Sequence, residues 1–317
     1  MYNENLQQKL TEYLEVKKIS QAKVAPLIGL SQTALSQWRN CKYDKGNIEE
    51  IESKIQEFFK LEEEQATIIE KKLPFINIQD YIPTSISEEI YQLIQYCHVE
   101  KGMAVAHGDA GIGKTKGACQ YAKDNPSSTI YIQATPSTGT LSNILKLLAR
   151  ALRISESKNK LDLMQDIRSK LEVSNKVIII DEAQHLKYAA LEEIRTLSDP
   201  NIITGDTGTG IVLIGNTEVF DRMLGKQEAR FAQQFSRIRM NRHYATSQVI
   251  IEDIKLLFPI LTERSMKKEI EFLHGISQSK WGVRGAVNVY NNAVNNENIN
   301  YDGLFSMARG MGIGILA

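Results

Sequence analysis

A chain of 317 residues, 42% hydrophobic and 24% charged, reads as an ordinary soluble globular protein with room for two or three domains and a full α/β core. Lys plus Arg and Asp plus Glu both number 38, so net charge argues neither for nor against a nucleic-acid partner, and any such contact must come from a local patch. Cys41, Cys97 and Cys119 lie far apart without Cys-x-x-Cys spacing, which argues against zinc and a disulfide framework and predicts small core residues in a reduced setting.

The opening MYNENLQQ is polar, and no apolar run approaches the roughly 18 residues of a membrane span. A cytoplasmic location without membrane contact is expected. Residues 1–65 read as a helical unit. Leu6, Leu10, Tyr13 and Leu14 recur at helical spacing. Ser20 is placed to cap a short helix through Ile28, Gly29 closes it, and Ser31 opens another that ends near Asn40. The segment QAKVAPLIGLSQTALSQW resembles the helix-turn-helix domain of phage repressors, with Ala25 at the helix crossing, Gly29 in the turn, and Leu35 and Trp38 facing inward. The resemblance leaves Ser31, Gln32, Thr33, Ser36, Gln37 and Arg39 on the outer face of the second helix, with Gln32, Thr33 and Arg39 as candidates for DNA contact. The run of glutamates from Glu49 to Glu64 keeps a protein-contact bundle as the alternative.

The charged LEEEQATIIEKK could extend a helix, and with Pro74 and Pro83 beyond it residues 66–84 read as a linker or connecting arm. From 85 to 244 helix and strand alternate. A helix over Ser85–His98 leads in. Strands are expected at Met103–Ala106, Thr129–Gln133, Val177–Ile180, Ile211–Ile214 and near Ile238–Met240, with helices at Thr115–Asp124, Leu141–Leu152, Lys160–Glu172 and Ala189–Leu197. That order predicts an α/β fold, a parallel sheet with helices on both faces, and the wholly apolar VIII suits a central strand. Residues 245–317 read as a helical C-terminal domain, with helices over Ser247–Phe258, Glu263–Ser277, Gly285–Asn295 and Tyr301–Arg309, and a glycine-rich tail expected to fray.

Two motifs carry the chemistry. MAVAHGDAGIGKTKGA, from Met103 to Ala118, is a strand, a glycine-rich turn and a helix start, the pattern of a phosphate-binding loop. Backbone N–H groups of Gly108, Asp109, Ala110, Gly111, Ile112 and Gly113, continuing through Lys114, Thr115 and Lys116, are placed to wrap phosphates. Lys114 reaches the β and γ phosphates, and the Thr115 hydroxyl is a Mg²⁺ ligand. The second motif, VIIIDEAQ, ends a strand in Asp181 and Glu182. Asp181 is the second candidate for Mg²⁺, and Glu182 the candidate base that orients the attacking water.

With both motifs in place, the chain resembles the AAA+ ATPases over residues 85–290, Gly108–Thr115 matching Walker A and Val177–Glu182 matching Walker B. The resemblance implies ATP with Mg²⁺ as the ligands. It also implies a polar sensor at Asn216, although an asparagine there also suits a turn cap. Arg237 in FAQQFSRI corresponds to a trans-acting arginine finger, with Arg230 as the competing position, and Arg284 in WGVRG to the second sensor of a C-terminal lid. A repressor-like domain ahead of such a module and a short helical end resembles the phage Mu B type of transposition ATPase. That resemblance implies an ATP-bridged homo-oligomer, filament or ring, on double-stranded DNA of any sequence, delivery of the DNA to a DDE transposase, and hydrolysis as the release step. The loop ATPSTGTLSN supplies Thr138 and Thr140, and the turn beyond the next helix supplies Lys158 and Lys160, as candidate phosphate contacts. Two other readings stand beside it, a helicase loader or replication initiator, and an ATP-sensing DNA-binding regulator.

Overall fold

The computed structural model describes residues 2–43, 46–72, 75, 81–201, 205–219 and 238–314. It divides into two compact units, Met1–Pro74 and Phe75–Ala317.

In the first unit, α1 (Glu4–Lys17) is capped by Asn3, whose side chain accepts the Leu6 N–H, and it buries Leu6, Leu10 and Leu14. Two short helices follow, α2 (Gln21–Val24) and α3 (Gln32–Arg39). The helix expected through Ile28 stops at Val24, and the chain continues in turns to Gly29, which takes a left-handed φ of 75°. Pro26 lacks the N–H that would extend α2. Ser31 accepts the Ala34 N–H as expected of a cap, whereas Ser20 occupies the cap position without a side-chain bond. Ala25, Leu35 and Trp38 are fully buried. Trp38 Nε1 donates to Glu52 Oε1 at 3.2 Å, and that oxygen also takes the Asn3 N–H at 2.8 Å. Glu52 belongs to α4 (Ile48–Lys72), which buries Ile51, Ile55, Phe58 and Phe59. The segment 66–72, which begins the expected linker, continues α4: its Ala66, Glu70, Lys71 and Lys72 are good helix formers.

The second unit is built on a five-stranded sheet of order β2-β3-β4-β1-β5, parallel throughout. The strands are β1 (Met103–Gly108), β2 (Thr129–Gln133), β3 (Val177–Asp181), β4 (Gly210–Gly215) and β5 (Ile238–Tyr244). Strand side chains alternate between faces, so each strand feeds two cores. Met103, Val105, Ile178, Ile180 and Leu213 pack under α7 (Leu141–Ala151), α8 (Lys160–Glu172) and α9 (Tyr188–Thr196). Ala104, Ala106, Ile179, Val212 and Ile214 pack under α5 (Ser85–Glu100) and α6 (Lys114–Asp124). Burial on both faces explains the unbroken apolar run VIII. Crossing helices require Gly117 in α6: a Cβ there would lie 2.1 Å from the Ser87 carbonyl oxygen of α5. We expect Gly117→Ala to destabilise the chain by about 1–3 kcal/mol, read as a lower urea midpoint at unchanged slope.

The cysteine expectation holds for one residue. Cys97 is buried, which pushes its thiol up to about 12, while Cys119 is intermediate and Cys41 is exposed on the turn after α3.

Beyond β5 the chain is helical: α10 (Ile251–Leu257), α11 (Pro259–Glu263), α12 (Lys267–Ser277), α13 (Gly282–Asn295) and α14 (Tyr301–Gly310). The single helix expected over Ser247–Phe258 is a short turn of 3-10 helix, Thr246–Gln248, followed by α10, and Pro259 then starts α11. Leu261, Leu273, Ile276, Val289, Tyr290 and Leu304 form the core of this lid. The tail expected to fray does not do so at once. Gly312 takes a left-handed φ of 68°, and the Ile313 N–H returns to the Ala308 carbonyl at 2.9 Å, burying Ile313 in the lid core. Among the described residues no helix is long and apolar enough to cross a membrane.

Candidate functional site

β1 delivers the glycine loop to the C-terminal edge of the sheet, where β3 and β4 end beside it. Such an edge is where open α/β sheets bind ligands. Gly108, Gly111 and Gly113 have φ of 135°, 74° and 105°, and a Cβ on Gly108 would lie 1.9 Å from the Tyr244 carbonyl oxygen. Only glycines allow this path. α6 starts at Lys114, directly after the loop, so free N–H groups and a helix N-terminus face the same space.

Lys114 is buried, and its Nζ donates to the carbonyls of Gly108 at 3.1 Å and Asp109 at 2.5 Å. Burial lowers the pKa of the ammonium below its ordinary value, against the attraction of Asp181, Asp109 and Glu182. A buried cation held only by neutral carbonyls is the environment that an anionic phosphate completes.

Asp181, at the end of β3, is buried. Its Oδ1 accepts the Glu182 N–H and its Oδ2 the Tyr131 hydroxyl, both at 2.9 Å. Burial and the nearby Asp181 charge raise the Tyr131 pKa, so that phenol is a donor to the carboxylate. Glu182 has a left-handed backbone, φ 54° and ψ 38°, unusual for a residue with a long side chain. This bend folds Ala183–His185 back beneath the carboxylate. Gln184 Nε2 donates to Glu182 Oε2, and Gln184 Oε1 accepts the Asn216 N–H at 3.3 Å. Asn216 Oδ1 caps the next turn by accepting the Glu218 N–H at 3.0 Å.

The lid closes the opposite side. The Arg284 N–H donates to the Gly111 carbonyl at 3.0 Å, and a Cβ on Gly282 would lie 2.8 Å from the Ala110 carbonyl oxygen, so the start of α13 rests on the loop. Asp109 turns away from the loop interior: its Oδ2 accepts the Thr246 N–H at 2.8 Å and its N–H goes to the Tyr244 carbonyl at 2.9 Å. The Ile112 side chain is likewise buried in the core beneath α5 and α6. At Ile112 only the backbone is offered to a ligand, and at Asp109, against expectation, the N–H is taken up by the Tyr244 carbonyl rather than left for a phosphate.

The result is a cavity of about 520 Å³ lined by Gly108, Ala110 to Lys116, Asp181, Glu182, Gln184, Asn216 and Arg284, with an apolar end at Ile82, Leu257, Val283 and Val287 beside Tyr81. One end suits phosphates, the other a planar base. Thr115 and Asp181 are hard oxygen donors and fit Mg²⁺, which takes one or two protein oxygens and completes its shell with phosphate and water.

The candidate DNA contacts are not gathered in the same way. Thr138 Oγ1 bonds within the turn to Thr135, and Thr140 caps α7 by accepting the Asn143 N–H at 3.3 Å. Lys158 is held by Asp166 at 2.5 Å, and Lys160 begins α8, exposed. The 11 residues of α7 lie between the threonines and the lysines along the chain. Gln32, Thr33 and Arg39 lie in the first unit on α3, where Arg39 donates to Gln21 Oε1 at 3.1 Å. Arg230 and Arg237 lie outside the described residues. Sequence reasoning missed Gln184, Tyr131 and Tyr81. Gln184 had a signal, a polar residue two places after Glu182, and the tyrosines had none.

A sheet of this order carrying such a loop, an acidic strand end and a helical lid defines a P-loop nucleotide-binding protein of the AAA class. A family model described as an AAA domain matches residues 97–223. The fold is similar to that of Cdc6p from Pyrobaculum aerophilum, with a TM-score of 0.53 at 13% identity over 73% of this chain and 69% of that one. The Mu-like prophage FluMu DNA transposition protein B of Haemophilus influenzae is 32% identical over 236 residues, 74% of this chain and 77% of that protein. The chain belongs to the DNA transposition protein B family. The ATP-dependent target DNA activators B of Escherichia phages D108 and Mu are each 29% identical to it over 258 residues, 81% of this chain and 77% of theirs.

Proposed function

We propose that this chain is an ATPase that activates target DNA for transposition: with ATP bound it assembles as a homo-oligomer on double-stranded DNA, presents that DNA to a transposase, and lets go on hydrolysis. The observation that carries the reading is the convergence of Lys114, Asp181, Glu182, Asn216 and Arg284 on one cavity. The names of the phage D108 and Mu relatives, ATP-dependent target DNA activators, support the output.

In this mechanism the loop N–H groups from Ala110 to Thr115 hold the phosphates and Lys114 neutralises the β and γ oxygens. Thr115 and Asp181 would hold Mg²⁺, which when bound spreads the charge of the transferred phosphoryl group. Glu182 takes a proton from the attacking water, Asn216 orients that water, and Arg284 reports on the nucleotide from the lid. Arg237, or Arg230, acts on the nucleotide of the neighbouring subunit, which makes each site half of a pair. The location is the cytoplasm, where ATP and phage DNA meet.

Electron microscopy and turnover assays test this together. ATP plus duplex of arbitrary sequence should give ordered oligomers, with hydrolysis faster when DNA, and further a transposase, is present. A sequence-restricted footprint with turnover indifferent to DNA would overturn the reading in favour of a regulator.

A further inference from the structure

The site contains a clamp beside the acidic end of β3. Gln184 is buried, on the short turn after β3, and its amide is used at both ends. Its Oε1 accepts the Asn216 N–H and its Nε2 donates to Glu182 Oε2. The two partners fix the orientation of the amide, since a backbone N–H demands an acceptor and a carboxylate demands a donor. Space for it is provided by β4: a Cβ on Gly215 would lie 2.4 Å from Gln184 Oε1. Glu182 needs such a hold. Its side chain leaves a left-handed backbone position at the cavity wall, and rotation about its χ angles would carry the carboxylate out of line.

We infer that Gln184 is a positioning residue for hydrolysis, holding one oxygen of Glu182 so that the other faces the attacking water, and locking the end of β3 to the end of β4 in the same amide. The inference rests on the assignment of Glu182 as the base. It differs from a purely structural role in a way that substitutions separate. Gln184→Met keeps the length and apolar volume and loses both bonds. Gln184→Glu keeps the acceptor for Asn216 and places a carboxylate beside Glu182.

The test is steady-state and single-turnover ATP hydrolysis by the full chain on duplex DNA, with binding of a fluorescent ATP analogue and thermal melting measured on the same preparations. Q184M should lower kcat by on the order of 10- to 100-fold while KM for ATP stays within about threefold. Q184E should be slower still, although it keeps the Asn216 bond. In an E182Q background Q184M should cause no further loss, because a clamp has nothing left to position. Should Q184M fail to bind nucleotide, Q184E and its E182Q double variant carry the comparison. Q184E turning over like the parent, or Q184M costing as much with E182Q as without, would overturn the inference. E182Q hydrolysing normally would instead overturn the base assignment, so the two failures are distinguishable.

Discussion

Lys114→Ala should abolish ATP-dependent DNA binding. The ammonium is buried, bonded to two loop carbonyls, and within the field of three carboxylates. Removing it takes away a buried cation at the phosphate end of the cavity, and leaves the Asp181 and Glu182 carboxylates there less compensated. Loss of a partner from a buried charge pair costs about 3–5 kcal/mol, a factor of roughly 10² to 4 × 10³ in ATP affinity. On the proposed reading, in which assembly depends on ATP, retention of duplex at millimolar nucleotide should fall to the nucleotide-free level. Filter binding with and without ATP reads this directly. The variant should fold, because alanine is a good helix former and Lys114 opens α6 without contributing to either sheet core. ATP-dependent retention equal to that of the parent chain would remove Lys114 from the phosphate site.

Glu182→Gln should have the opposite signature. The carboxamide keeps the shape of the side chain and the cavity wall, so nucleotide binding and assembly on DNA are preserved. It cannot accept a proton from water at neutral pH. General base catalysis contributes about 10² to 10⁴ in rate, and turnover should drop by a factor in that range. Protein locked on DNA should accumulate, with dissociation after ATP removal slowed by a similar factor. Pre-steady-state phosphate release and a DNA dissociation assay test both halves. Normal hydrolysis would sink the assignment, and normal hydrolysis with normal release would show that the base lies elsewhere on the cavity wall.

Much of the second unit was readable because its sheet is buried on both sides. Apolar runs such as VIII and IVLI leave few alternatives, and the helices between them show apolar positions three and four apart. The two chemical motifs were readable for a different reason, since both are local: a phosphate loop and an acidic strand end each sit in one short stretch. Contacts across the sheet were not. Tyr131 meets Asp181 across 50 positions and Gln184 meets Asn216 across 32, and nothing in either local stretch names the partner. Helix ends were misread where backbone chemistry outweighed periodicity. Pro26 shortened α2, and Pro259 divided the region before α12. The tail misled because Gly312 was counted as a helix breaker, when its left-handed φ makes the turn that buries Ile313.

The attachment of the glycine loop to the lid has a thermodynamic corollary. Asp109 ties the loop to the segment that enters the lid, and Gly111 ties it to the start of α13. Loop and lid therefore share one hydrogen-bonded pivot. Any ligand of α10 to α14 that shifts that pivot changes the affinity for nucleotide, and by reciprocity nucleotide changes the affinity for that ligand by the same factor. Communication between the helical end of the chain and its phosphate site thus requires no separate relay through the sheet.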